Sequence, residues 1–204
     1  IARTPDGGPL NSAMLLGPGG EYLGRYDKIN LVPFGEFVPP FFGFVKAITR
    51  EAGDFRPGTS LKVFLADGHR IGTFICYEAV FPHFVRRFAA EGAEVLINVS
   101  NDGWFGRSAA RMQHLNIARM RAVENRRWLL RSTNDGITAV IDPAGRIRQQ
   151  LEPYREDALR GRFSLETDTT PYSRYGDWFA WGALAVAVLA LLATQLPTFR
   201  RERG

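Results

Sequence analysis

The apolar run at residues 71–75 stops at Cys76, the only cysteine in the chain, and this junction limits the fold more than any other stretch. Ile71, Thr73, Phe74 and Ile75 are β-branched or aromatic, which predicts a buried strand. Phe81-Pro82 then opens a helical pattern over residues 83–91, since a proline at a helix start gives up an N–H that would have no partner there. Residues 95–99 read as a second buried strand, and the order strand–helix–strand predicts an α/β fold. Cys76 therefore falls at a strand's carboxyl end, where open α/β sheets gather their chemistry. A thiol there, next to the Tyr77 phenol and the Glu78 carboxylate, is a candidate nucleophile. A buried structural cysteine is the plainer alternative.

The rest of the chain supplies more elements of the same kind. Gly17-Pro18-Gly19-Gly20, between apolar runs at 11–16 and 21–26, predicts a hairpin that delivers Lys28. A second hairpin joins 61–66 to 69–76 through Asp67-Gly68. The loop at 100–106 lies on the side of Cys76 if the strands before it are parallel, which would bring Asn101, Asp102 and Trp104 to a pocket; a glycine-punctuated turn without chemistry is the alternative. Residues 109–127 predict a long helix with an arginine-rich face. Its Met112, Leu115, Ile117, Met120 and Val123 recur at helical spacing and read as core. Three further strands are expected at 128–132, 137–141 and 147–151. The aromatic segment around Phe41, Phe42 and Phe44 is either a helix packed on the sheet or an exposed apolar patch.

A chain of 204 residues, 45% hydrophobic and 23% charged, can bury one sizeable core, with an appendage. Its net charge of +5 is spread among 21 acidic residues, with no basic block interleaved with aromatics, so no nucleic-acid partner is expected. One cysteine allows no internal disulfide. His69, His83 and His114 lack metal-site spacing, and no glycine-rich phosphate loop is present, so neither a metal nor a cofactor is expected. Residues 178–199 carry no charge. Their apolar part approaches the roughly 20 residues that cross a bilayer, with Trp178 and Trp181 at one end and Arg200, Arg201 and Arg203 beyond the other. The expected layout is a domain at 1–164, a polar linker at 165–177, a transmembrane helix at 178–197 and a basic tail at 198–204 on the cytoplasmic side. The domain then faces outward.

Five motifs occur in collinear order. They are Tyr26-x-Lys28-x-x-Leu31-Val32-Pro33-Phe34-Gly35-Glu36, Ile75-Cys76-Tyr77-Glu78-x-x-Phe81-Pro82, Asn98 to Gly106, Arg121 to Arg127, and Thr170-Pro171-Tyr172-Ser173-Arg174-Tyr175-Gly176-Asp177. Together they resemble the nitrilase, or carbon–nitrogen hydrolase, superfamily, and within it the apolipoprotein N-acyltransferase family. The resemblance implies a nitrilase-like α-β-β-α sandwich, incomplete at its amino end, followed by one transmembrane helix. It implies a Glu-Lys-Cys triad in which Cys76 is the nucleophile and Lys28 steadies the oxyanion. Glu36 and Glu78 would be accessory carboxylates that orient the lysine and shape the pocket, and Tyr77 a pocket residue. No residue before Lys28 matches the family's general-base glutamate, so the residues given are not expected to form a complete catalyst. The implied partners are a phospholipid acyl donor, an apolipoprotein acceptor and the bacterial inner membrane. A membrane-tethered amidase and a non-catalytic membrane-anchored binding domain are the rival readings.

Overall fold

The computed structural model describes residues 2–39 and 54–195. The aromatic segment at Phe41, Phe42 and Phe44 and the basic tail at 198–204 lie outside the described residues. The first hairpin pairs β1 (Ser12–Leu16) with β2 (Tyr22–Asp27) as a two-stranded antiparallel sheet. A six-stranded mixed sheet follows in the order β3 (Val63–Ala66), β4 (His69–Ile75), β5 (Val95–Ser100), β6 (Leu129–Thr133), β7 (Ala139–Ile141), β8 (Ile147–Gln150). β4, β5 and β6 run parallel because α1 (Pro82–Ala90) and α2 (Ala110–Asn125) provide the crossovers, while the outer strands are joined by tight turns and pair antiparallel.

The parallel centre is the core. Phe74, Val85, Phe88, Leu96, Leu115, Leu129 and Ile141 are all buried in one cluster, where α1 packs on β4 and α2 on β6. Phe88 of α1 meets Phe74, Phe84 and Tyr26, the last edge to face with ring centroids 6.0 Å apart. This brings the hairpin, the sheet and α1 together at one place. Among the described residues, then, there are one helical layer, one six-stranded sheet and one two-stranded sheet.

Two expectations change. The buried face of α2 matches the expected stripe only in part: Leu115 is buried and Ile117 packs against the core, but Met112, Met120 and Val123 are exposed, and Arg111, His114, Ala118, Arg121, Ala122 and Asn125 face inward. These positions also have helical spacing, so hydropathy placed the centre of the stripe too far toward the methionines. The second change concerns the carboxyl end. Within 165–177, α3 (Pro171–Tyr175) docks on α1 and α2, capped by the Thr170 side chain, with Ser173 buried and its hydroxyl donating to Asn125 at 2.8 Å. Next, α4 (Trp178–Gln195) is uncharged and exposed all round. Among the described residues no helix is long and apolar enough to cross a membrane. The 18 residues of α4 rise about 27 Å, short of a hydrocarbon core of about 30 Å, so the transmembrane span expected at 178–197 is met only by this shorter apolar helix.

Gly72 lets α1 approach the sheet, since a Cβ there would lie 2.8 Å from Cβ of Phe88 and 3.0 Å from that of Ala93. Gly72→Ala is therefore expected to cost about 1–3 kcal/mol by overpacking. The loss should show as a lower denaturation midpoint in urea with unchanged slope, and an unchanged midpoint would mean that α1 shifts freely.

Candidate active site

Two chain segments 48 residues apart meet at one cavity. β2 ends at Asp27, and Lys28 follows, fixed by a backbone bond from its N–H to the Asn11 carbonyl at 2.8 Å. Its side chain is 1% exposed, and Nζ donates to Glu36 Oε2 at 2.6 Å. Glu36 is held in turn by Asn11 Nδ2 at 2.6 Å and the Val32 N–H at 2.8 Å, so the turn between Val32 and Glu36 closes on its own carboxylate. That ion pair stands in for the water that burial removes from the amine.

On the other segment, β4 ends at Ile75 and the chain turns at once into a 3-10 helix, Cys76–Val80. Cys76 adopts φ 51°, a left-handed conformation that a non-glycine residue holds only when its surroundings impose it. The bend projects the thiol beyond the strand end, and Sγ lies 3.9 Å from the Asn101 carbonyl oxygen. β4 and β5 are parallel, with Ile75 beside Val99, which brings the loop after β5 to Cys76.

Lys28, Glu36, Cys76, Tyr77, Asn101 and Trp104 all border a cavity of about 990 Å³. Tyr77 packs edge to face on Phe81 at 5.2 Å, and Trp104 stands at the rim, 69% exposed. Glu78 is placed differently from the pocket-shaping role expected of it. It is fully buried behind the cavity wall and accepts four hydrogen bonds: from Tyr26 Oη at 2.6 Å, from the Ile29 and Asn30 N–H groups at 2.8 and 3.0 Å, and from the Ile75 N–H at 2.8 Å. Burial pushes its carboxyl above the usual range, against the pull of those donors. The same burial, with Glu78 alongside, pushes the Tyr26 phenol up.

A second buried group lies beneath the loop after β5. Asp102 does not line the cavity; it is buried under the loop and accepts from Ser100 Oγ at 2.7 Å and from Arg131 Nη2 at 2.7 Å, while Oδ1 is 3.0 Å from His114 Nδ1. Arg131 also donates to Asn98 Oδ1. Gly136 is required here, because a Cβ at that position would overlap the Asp102 carboxylate. His114 Nε2 reaches the Cys76 carbonyl at 3.2 Å. His114, Arg131 and Asn134 escaped the sequence reading as site residues: the first two are buried polar residues on α2 and β6, which leave no hydropathy signal, and Asn134 is an exposed loop residue just after β6. Among the described residues no group of His, Cys, Asp or Glu could hold a metal ion.

A thiol on a strained strand-to-helix turn at the carboxyl end of a parallel strand, sharing one cavity with a buried lysine paired to a glutamate, defines a cysteine-centred site of the kind built on an α/β sheet. The chain belongs to the carbon–nitrogen hydrolase family, whose model matches residues 2–167. It is 44% identical over 196 residues to a Geobacter metallireducens apolipoprotein N-acyltransferase and 43% identical over 191 residues to a Pseudomonas aeruginosa protein of the same name. These matches cover 95% and 91% of this chain, and the chain spans 37% of the length of each relative. The fold is also that of a glutamine-dependent NAD+ synthetase from Acinetobacter baumannii, with TM-score 0.61 and 20% identity over 81% of this chain and 33% of that one.

The two buried carboxylates predict opposite pH effects. Burial raises the Asp102 carboxyl, but the hydrogen bond with His114, the Arg131 charge and the Ser100 hydroxyl outweigh it and hold the group at about 2. A folded value below the unfolded one, near 3.9, means that Asp102 contributes roughly 2 kcal/mol above pH 4, lost as the pH falls from about 4 toward 2. Asp102→Asn is expected to lower stability at pH 7 and to flatten that acid limb. A limb as steep as in the wild type, followed by chemical denaturation between pH 2 and 5, would assign the acid loss to other groups.

Proposed function

We propose that this chain carries the thiol and lysine of an acyl-transfer site that moves an acyl chain from a phospholipid, through a Cys76 thioester, to the α-amino group of an apolipoprotein's terminal diacylglyceryl-cysteine. The observation that carries this reading is the left-handed turn at Cys76, which presents the only thiol to the cavity bordered by the buried Lys28. The relatives' shared name supplies the acceptor class.

In the first half-reaction the thiolate attacks the donor ester carbonyl, the acyl–oxygen bond breaks and the lysophospholipid leaves as an alcohol. In the second, the acceptor amine attacks the thioester, the acyl–sulfur bond breaks and the thiol is released. The thiol proton must go to a base. Among the described residues the hydrogen-bond partner of Sγ is the Asn101 carbonyl, which takes no proton, and the family resemblance assigns the base to a glutamate preceding Lys28. Lys28 uses one N–H on Glu36, leaving donors for the oxyanion. Exclusion of water decides between transfer and hydrolysis, and Val80, Val99, Phe105 and Ile117 on the cavity wall favour transfer.

In the full-length protein, Cys76→Ala is expected to abolish a hydroxylamine-sensitive acyl-enzyme, and Lys28→Ala to slow its formation about 100-fold or more while the protein still folds. A hydroxylamine-sensitive adduct in Cys76→Ala would remove the nucleophile assignment. Acyl release into water at the same rate with and without lipopeptide would make the protein a hydrolase.

Residues 178–197, of which α4 is the described part, are proposed as a membrane span that holds the domain on the outer face of the bacterial inner membrane, with Arg200, Arg201 and Arg203 in the cytoplasm. Reporter fusions at residue 165 and at Gly204 should read external and cytoplasmic respectively. Cytoplasmic reporter activity at residue 165 would reverse the topology.

A further inference from the structure

We infer that His114 is a positioning residue: anchored by Asp102 and Arg131, its imidazole holds the Cys76 carbonyl and thereby sets the direction of the Tyr77 N–H as an oxyanion donor. The inference deepens the acyl-transfer reading and rests on it. His114 Nε2 is 3.2 Å from the Cys76 oxygen. A carbonyl only accepts, so Nε2 carries a proton in this contact. The peptide between Cys76 and Tyr77 is trans and planar, so its C=O and N–H point in opposite directions. Drawing the carbonyl toward His114 therefore turns the Tyr77 N–H away from that ring, and His114, Tyr77, Cys76 and Lys28 all border the same cavity. One hydrogen bond to the carbonyl thus fixes the direction of the donor.

The anchoring is built to resist rotation. Nδ1 donates to Asp102 Oδ1 at 3.0 Å, Arg131 Nη2 holds the same carboxylate at 2.7 Å, and Phe105 packs edge to face on the ring at 5.5 Å. His114 is 4% exposed, and both of its anchors are buried. Asp102 also fixes the neighbouring loop: its own N–H donates to Asn134 Oδ1 at 3.0 Å, and the next residue back, Asn101, presents the carbonyl that faces Sγ. Left-handed backbone at Cys76 persists only under such constraint. Glu78 restrains the turn through the Ile75 N–H on one side of Cys76, and His114 restrains it through the carbonyl on the other.

The test uses the full-length protein with an activated ester and compares His114→Leu, which has no donor, with His114→Gln, which keeps an N–H donor on a similar reach. His114→Leu should lower the acylation kcat about 10- to 100-fold, the scale of a misplaced catalytic dipole, with KM changed less than about twofold. Alkylation of Cys76 by iodoacetamide, a displacement that develops no oxyanion, should change less than about threefold in the same variant, since the thiol itself is kept. His114→Gln should recover most of the lost kcat. If His114→Leu does not fold, His114→Phe, which keeps a ring against Phe105 but has no donor, should give the same split between acylation and alkylation. Acylation at the wild-type rate in the donor-less variant, loss of alkylation in step with acylation, or no recovery by glutamine would each overturn the role. A wild-type protein that forms no thioester overturns the acyl-transfer reading and this inference with it, whereas a thioester-forming wild type with an unimpaired His114→Leu overturns this inference alone.

Discussion

The carboxylate of Glu78 is the interaction on which the rest of the site depends. It is fully buried and joins Tyr26, Ile29 and Asn30, at the end of β2, to Ile75, the last residue of β4. Lys28 sits within the first segment and Cys76 immediately follows the second. Nothing in the local structure of either hairpin would bring a lysine and a thiol 48 residues apart to one cavity; four hydrogen bonds to a single group do. The cost is desolvation of a charge, and the return is geometric: removing the carboxylate would leave one hydroxyl and three backbone N–H groups buried without partners.

Asp102 is the counterpart on the α2 side, and the contrast between the two carboxyls is instructive. Glu78 is satisfied by neutral donors alone, so burial wins and its proton affinity rises. Asp102 has the His114 hydrogen bond and a guanidinium at 2.7 Å, which together outweigh burial and hold its proton off down to about pH 2. Cys76 is thus bracketed by two buried acids that act on its backbone and not on its sulfur. This arrangement fixes a strained turn from both sides, as a preorganised site requires of the residues behind it.

The buried face of α2 carries Arg111, His114, Arg121 and Asn125 because the layers around it offer specific partners. Arg121 reaches the Ala79 carbonyl and Glu124, Asn125 reaches Ser173, and His114 reaches Cys76 and Asp102. Polar burial of this kind ties α2 to the turn after β4, to the loop after β5 and to α3. The exposed methionines and Val123 on its other side have no comparable partners within the described chain, so counting apolar residues alone was right for Leu115 and Ile117 and wrong for Met112, Met120 and Val123.

What the sequence determined by itself was whatever depends on neighbours along the chain. Both hairpins, the run β4-α1-β5, the extent of α2 and the position of Cys76 at a strand end follow from period, turn dipeptides and a proline at a helix start. Lys28, Glu36, Cys76, Tyr77, Asn101 and Trp104 were recognisable because they sit in short motifs, and they do meet at one cavity. Only the tertiary structure decided that Glu78 is a buried tie, that Asp102 lies under its loop, and that His114, Arg131 and Asn134 belong to the site at all. The physical reason is that a polar residue's place inside a protein is set by the donors and acceptors that reach it from distant segments. Hydropathy records the cost of burying such a group, but the partners that offset the cost exist only once the chain has folded.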